Sequence, residues 1–159
     1  EWNVYAAPYD TAFIFEETAI PISMFPLDIS NQVPVAGTFM ETLQAALTNA
    51  SQEANATSDA LLIELMYAFY EEIALPAPMY RLWNTVVVGY LSPALQPYYA
   101  PPEVTNITIV TDFEDQGWTK KQDLGGGDGA IYRSVPVFTS FTSEEDKDKW
   151  MEAIANFDV

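Results

Sequence analysis

An α/β protein, with helices and strands interleaved in layers, is the fold class the sequence predicts. Of its 159 residues, 49% are hydrophobic and 14% aromatic, enough apolar material for a sizeable core and too much for a disordered chain. Helical and strand-like segments alternate along the chain instead of segregating. There is no internal repeat and no linker long enough to divide two domains, so residues 1–159 read as one domain segment.

The first helix is expected from Pro8 to Glu17, with proline in a first turn where its missing N–H costs nothing. Ile22 to Leu27 is a short apolar run between Pro21 and Pro26 and predicts a buried strand. Thr38 and Glu41 have capping-box spacing, which predicts a helix to about Leu47. Thr48 to Asp59 is polar and reads as an exposed loop. A long helix then runs from Ser58 through Ala74, stopped by Pro76 and Pro78. Its Leu61, Leu65, Met66, Tyr67, Phe69 and Tyr70 have helical spacing and are expected in the core. Arg81 to Leu91 predicts a fourth helix, ended before Pro93. Tyr90, Tyr98 and Tyr99 fall among prolines, in a packed loop or on a partner surface. Val104 to Asp112 and Ala130 to Phe138 read as strands. The loop between them holds Gly125, Gly126, Gly127 and Gly129; it leads into a strand and carries Asp123 and Asp128, which disfavours a phosphate site. Ser143 followed by Glu144, Glu145 and Asp146 marks the start of a last helix, with Trp150, Ile154 and Phe157 facing inward.

The charge balance excludes several functions. Six Lys and Arg against 23 Asp and Glu give a net charge of −17, and residues 1–80 contain no cation. Such a surface repels nucleic acid and anionic membranes. Without His or Cys the chain has no Ser-His-Asp triad, no thiol nucleophile and no ordinary zinc site. Cations held by oxygen ligands remain open. No apolar run reaches membrane-spanning length, so membrane insertion is not expected. Asn49, Asn55 and Asn106 each begin an Asn-X-Ser/Thr triplet, which predicts a secreted or lumenal glycoprotein present as a mature or processed chain.

Longer motifs carry a family likeness. Glu1-Trp2-Asn3-Val4-Tyr5, Pro8, and the run Ile20-Pro21-Ile22-Ser23-Met24-Phe25-Pro26-Leu27-Asp28-Ile29-Ser30-Asn31-Gln32-Val33 resemble the inosine-uridine-preferring nucleoside hydrolases. Leu82-Trp83-Asn84, Gly117-Trp118-Thr119-Lys120-Lys121-Gln122 and the segment Ser143 to Ala155 extend the resemblance. It implies the C-terminal half of a nucleoside-hydrolase-like, Rossmann-like layered domain. It also implies a calcium-dependent N-ribohydrolase chemistry, nucleoside plus water giving base plus ribose through an oxocarbenium-like sugar. Calcium would grip the ribose hydroxyls and orient the water, which a carboxylate deprotonates.

By the same resemblance, Glu1 and Asn3 fall to ribose hydroxyls, Trp83 to the base, and Asn84 to calcium. Three departures matter. Asn84 stands where the family carries Asp, so one negative charge is lost at the metal. Ala7 stands where Asp usually precedes the proline. The Asp-rich segment that supplies the catalytic base and most calcium ligands has no counterpart in this chain, so no catalytic residue is assigned. On residue chemistry alone, Glu1 and Asn3 read as a solvated chain end, Trp83 as core, and Asn84 as a buried, hydrogen-bonded amide. Half of a layered domain would leave sheet edges or faces uncovered, which implies a partner: the N-terminal part of the same precursor, or neighbouring copies in an assembly. Two functions remain open, one portion of a secreted nucleoside N-ribohydrolase, or a catalytically dead extracellular structural or binding glycoprotein on the same fold.

Overall fold

The computed structural model of the chain describes residues 2–52, 57–74, 76, 80–112, 114–121 and 132–156. Seven α-helices and three strands are assigned among them. They are α1 (Trp2–Ala6), α2 (Pro8–Glu17), α3 (Leu27–Ser30), α4 (Gly37–Gln52), α5 (Thr57–Phe69), α6 (Trp83–Gly89), β1 (Glu103–Ile109), β2 (Thr119–Lys121), β3 (Arg133–Val137) and α7 (Glu144–Asn156). The chain forms two compact units, one from Glu1–Leu27 with Pro101–Thr139, the other from Asp28–Ala100 with Ser140–Val159.

The first unit is a three-stranded antiparallel sheet in the order β2-β1-β3, with α2 packed on β1. Alternation along β1 turns Thr105, Ile107 and Ile109 inward. Ile107 and Ile109 meet Val135 and Val137 of β3 and Ala12 of α2, and Val4, Phe15, Ile22 and Met24 close over them. Thr105 pairs with Val135 and Ile107 with both Lys121 and Arg133, which fixes the register. Arg133 reaches back to the end of α2, where its guanidinium donates to the carbonyls of Ile14, Thr18 (2.9 Å) and Ile20. A cation there satisfies carbonyls that no helical N–H can reach.

The second unit is helical. α4 packs on both α5 and α7, and the last turn of α5 continues as a π-helical turn, Tyr70–Ala74. Trp150 of α7 is wholly buried, its ring against Tyr99 and Phe141. Gly89 of α6 passes so close that a Cβ would lie 2.9 Å from the Trp150 ring. The Tyr99 hydroxyl donates to the Val86 carbonyl at 2.7 Å, and burial drives its pKa well above the ordinary phenol range. Ser143 caps α7: its hydroxyl accepts from the Asp146 N–H at 3.1 Å and donates to the Asp146 carboxylate at 2.7 Å.

Several expectations change. The run Ile22 to Leu27 is not a strand: only Met24 bridges Val137, its N–H donating to Pro136 and its carbonyl accepting from Phe138, and Leu27 already opens α3. A parallel ladder would continue with residue 26 donating toward residue 138 and residue 136 donating toward residue 22, and Pro26 and Pro136 have no N–H to give. The loop expected from Thr48 to Asp59 narrows, because α4 continues through Gln52 and α5 opens at Thr57. No Gly or Pro interrupts Thr38 to Gln52, so Asn49 sits exposed on α4. Asn106, expected as a glycan site, lies in the middle strand of the sheet, its amide oxygen accepting from the Ser134 hydroxyl. Of the apolar residues expected in the core from α5, Tyr70 is buried, whereas Leu61, Leu65 and Phe69 are exposed. Tyr99 is packed in its loop; Tyr90 and Tyr98 are half-buried. Ile154 is half-buried as well. Glu1, Asn55, the loop from Gly125 to Gly129 and Phe157 lie outside the described residues. No helix among the described residues is long and apolar enough to cross a membrane.

Candidate functional site

In the helical unit, residues 80–82 lie along residues 33–35 as a short antiparallel ladder. Val35 N–H donates to the Tyr80 carbonyl at 3.1 Å and Leu82 N–H to the Val33 carbonyl at 3.0 Å, with a bridge between Pro34 and Arg81. Leu82, only 2% exposed, anchors this ladder in the core and thereby sets where α6 begins. Trp83 and Asn84 then fall in the first turn of α6, side by side. The structure brings these two candidates together on a pocket of about 190 Å³ that they share with Tyr70, Tyr80, Arg81, Leu82 and Thr85.

The pocket is aromatic and polar. The Trp83 indole N–H donates to the Asn31 side-chain oxygen at 3.3 Å, and its ring lies 5.1 Å from that of Tyr80 at 54°. This fixes the indole by its edge while 38% of the residue remains exposed, so Trp83 is neither a core residue nor fully free. Asn84 is exposed, which removes the reading of a buried, satisfied amide. Arg81 also lines the pocket, its guanidinium donating to the carbonyls of Asn31 (3.2 Å) and Tyr80 (3.0 Å). Desolvation raises the Tyr70 phenol above its ordinary value, opposed by a hydrogen bond with Thr85 and aided by Tyr80. Such a pocket suits a flat, neutral ring edged by hydrogen-bonding groups.

Calcium fits these residues poorly. It takes six to eight oxygens, carboxylates prominent among them. The lining offers one amide and three hydroxyls, no carboxylate, and a guanidinium that repels cations. Nor does any group of three or more metal-ligating side chains occur among the described residues.

Asn3 belongs to the sheet unit, exposed on α1. That helix is held by the turn before β2. Gly117 has φ 87°, and a Cβ there would lie 2.4 Å from the Tyr5 Cα. Gln116 adds a side-chain donor to the Tyr5 carbonyl at 3.3 Å. The Gly117 segment that resembled a family motif therefore packs against α1, the helix that carries Asn3. Tyr80 and Asn31, which orient Trp83, escaped sequence reasoning. The one sign of Tyr80 was an aromatic three residues before Trp83, and Asn31 was visible only inside the longer motif.

No protein-family model and no curated protein matches the chain. Among solved structures it is similar to a purine-preferring ribonucleoside hydrolase from Gardnerella vaginalis, with a TM-score of 0.54 and 16% identity. The match covers 94% of this chain and 45% of that one, so the chain spans less than half of that hydrolase's length. At this identity the likeness is one of fold: a mixed helix-and-strand chain with a small antiparallel sheet, similar to a nucleoside hydrolase domain.

Proposed function

We propose that this chain is one portion of a nucleoside N-ribohydrolase-like protein, in which its own residues hold substrate and a complementary portion supplies the activated water. The observation that carries this reading is the likeness to a ribonucleoside hydrolase over 94% of the chain but only 45% of that enzyme. In this reading the Asn3 amide and the Glu1 carboxylate hydrogen-bond ribose hydroxyls, and the exposed indole of Trp83 encloses the base. An indole N–H donates only weakly and cannot protonate a leaving base, so Trp83 contributes orientation and exclusion of water. A calcium at Asn84 would need carboxylates other than the residues that line its pocket, with Asn84 offering at most a neutral carbonyl. Inosine and uridine serve as probe substrates because the sequence resembles a family named for them, and the resemblance assigns no base preference.

The test is release of base and ribose from inosine and uridine, with millimolar calcium, by the full 159-residue chain. No turnover is expected from it alone, because positioning without a nucleophile does not hydrolyse. Calcium-dependent turnover that scales with protein and vanishes in Glu1→Ala would overturn the division of labour proposed here.

A second reading, a catalytically inactive extracellular glycoprotein on this fold, is favoured by the Asn84 pocket, which holds Arg81 where a cation site needs negative charge. Asn84→Asp separates the two: a gain in calcium affinity supports a degenerate metal position, and no change supports a surface unrelated to metal. Secretion itself rests on the Asn49, Asn55 and Asn106 triplets. Intact mass before and after endoglycosidase treatment checks it, and an unchanged mass on chain from its natural source would remove the argument.

A further inference from the structure

The outer face of α5 and its π-helical continuation carries a stripe at every fourth residue: Leu61, Leu65, Phe69 and Ile73, between 45% and 60% exposed. The exposed face of α6 and the turn after it carries Trp83, Val87, Val88 and Leu91, the last 76% exposed. Tyr80 joins the two, its ring 6.0 Å from Phe69 and 5.1 Å from Trp83. The stripes therefore form one apolar ridge within the helical unit. Taking ~200 Å² for a large side chain, its exposed area is on the order of 900 Å². That matches the ~800 Å² each partner contributes to a stable interface.

Charge selects the occupant. Glu64, Glu71 and Glu72 are exposed along α5, and the Tyr67 hydroxyl lies 3.5 Å from the Glu71 carboxylate. No Lys or Arg precedes Arg81 in the chain, and Arg81 is engaged with backbone carbonyls of its own unit. A second copy would set like charges face to face, at a net charge of −17 per chain. Anionic lipid is repelled in the same way.

We propose that this ridge is a docking face for an amphipathic helix of a partner polypeptide, apolar along one side and bearing Lys or Arg at its margins. Apolar burial supplies the affinity and the acidic rim the selectivity. The inference requires no nucleoside chemistry, so peptide binding and hydrolase turnover are read separately; a complementary portion of the proposed hydrolase that displaced the peptide from this face would overturn it.

The experiment uses the full chain and three synthetic peptides of roughly five helical turns. One has a leucine face flanked by lysines, one is a scrambled sequence of the same composition, and one carries glutamates for lysines. Binding is followed by calorimetry and by tryptophan fluorescence. The amphipathic cationic peptide should bind about tenfold or more tighter than either control. Leu65→Ser with Ile73→Ser on α5, and separately Val88→Ser with Leu91→Ser on α6, should each weaken it by about tenfold. All four positions are exposed, and unchanged circular dichroism and melting would show the variants folded. Equal binding of the scrambled peptide would reduce the effect to net charge, and equal binding of the anionic peptide would remove the charge argument; either overturns the proposal. So would loss confined to one helix, which breaks the single ridge. A dimer by sedimentation that the same variants dissolve would make a second copy the occupant. Adsorption to phosphatidylcholine vesicles, abolished by those variants, would reassign the face to lipid.

Discussion

Replacing Gly117 by alanine tests how α1, and Asn3 with it, is held to the sheet unit. Two costs add. With φ at 87° the backbone sits where an L side chain pays ~1–2 kcal/mol. The new Cβ would also lie 2.4, 2.6 and 2.7 Å from the Cα, Cβ and N of Tyr5. Comfortable carbon contacts begin at about 3.5 Å, so α1 must retreat by roughly 1 Å. That retreat strains the Gln116 side-chain bond to the Tyr5 carbonyl, worth about 1 kcal/mol, and loosens Val4 from the core edge. A stiffer unfolded chain returns roughly 0.4–1 kcal/mol to the variant. The net loss is about 1–3 kcal/mol, large against a total stability of ~5–15 kcal/mol. Urea unfolding followed by circular dichroism measures it, with a lower midpoint at an unchanged slope. Gly117→Asn, which tolerates the left-handed backbone but keeps the Cβ, should recover only the backbone share, ~1 kcal/mol. A loss below ~0.5 kcal/mol for Gly117→Ala, or full recovery by asparagine, would refute the close approach to Tyr5.

Arg133→Met should cost about 2 kcal/mol, since it leaves the carbonyls of Ile14, Thr18 and Ile20 without their shared donor; thermal melting reads the loss, and hydrogen exchange should show the last turn of α2 fraying first. Ser143→Ala removes the cap of α7 and should cost ~1 kcal/mol by the same melts, whereas Ser143→Asp should restore most of it. Burial raises the phenols of Tyr70 and Tyr99, so both stay protonated in the folded chain after they would ionise in the unfolded one. The contribution of these two hydroxyls to stability should be flat in pH below the ordinary phenol value of 10.0 and fall above it, with Tyr99→Phe removing part of the slope. A pH-independent midpoint across that range would contradict the burial of the two hydroxyls.

What the sequence determined by itself was local and periodic. Pro8 in a first turn placed α2 at its observed bounds, and Ser143 followed by acidic residues placed the start of α7. Alternation in Val104 to Asp112 marked β1, whose inward side is the sheet's core. The motifs pointed to a nucleoside-hydrolase-like fold, which the solved-structure likeness shares. These features are legible because each arises from neighbours three or four residues apart, or two in a strand. Tertiary structure decided the rest. A strand or a single bridge at Met24 depends on whether flanking N–H groups exist to pair, and prolines had removed them. Asn106 became a middle-strand residue only because β2 formed on its other side, from a three-residue segment too short to announce itself. The apolar stripe of α5 looked like core, since periodicity reports that a face is apolar and not what covers it. Trp83 was visible, but its posture is set by Asn31 and Tyr80, the first more than fifty positions away in the chain. Side-chain orientation at a site is a product of long-range contacts, and no spacing in the sequence encodes it.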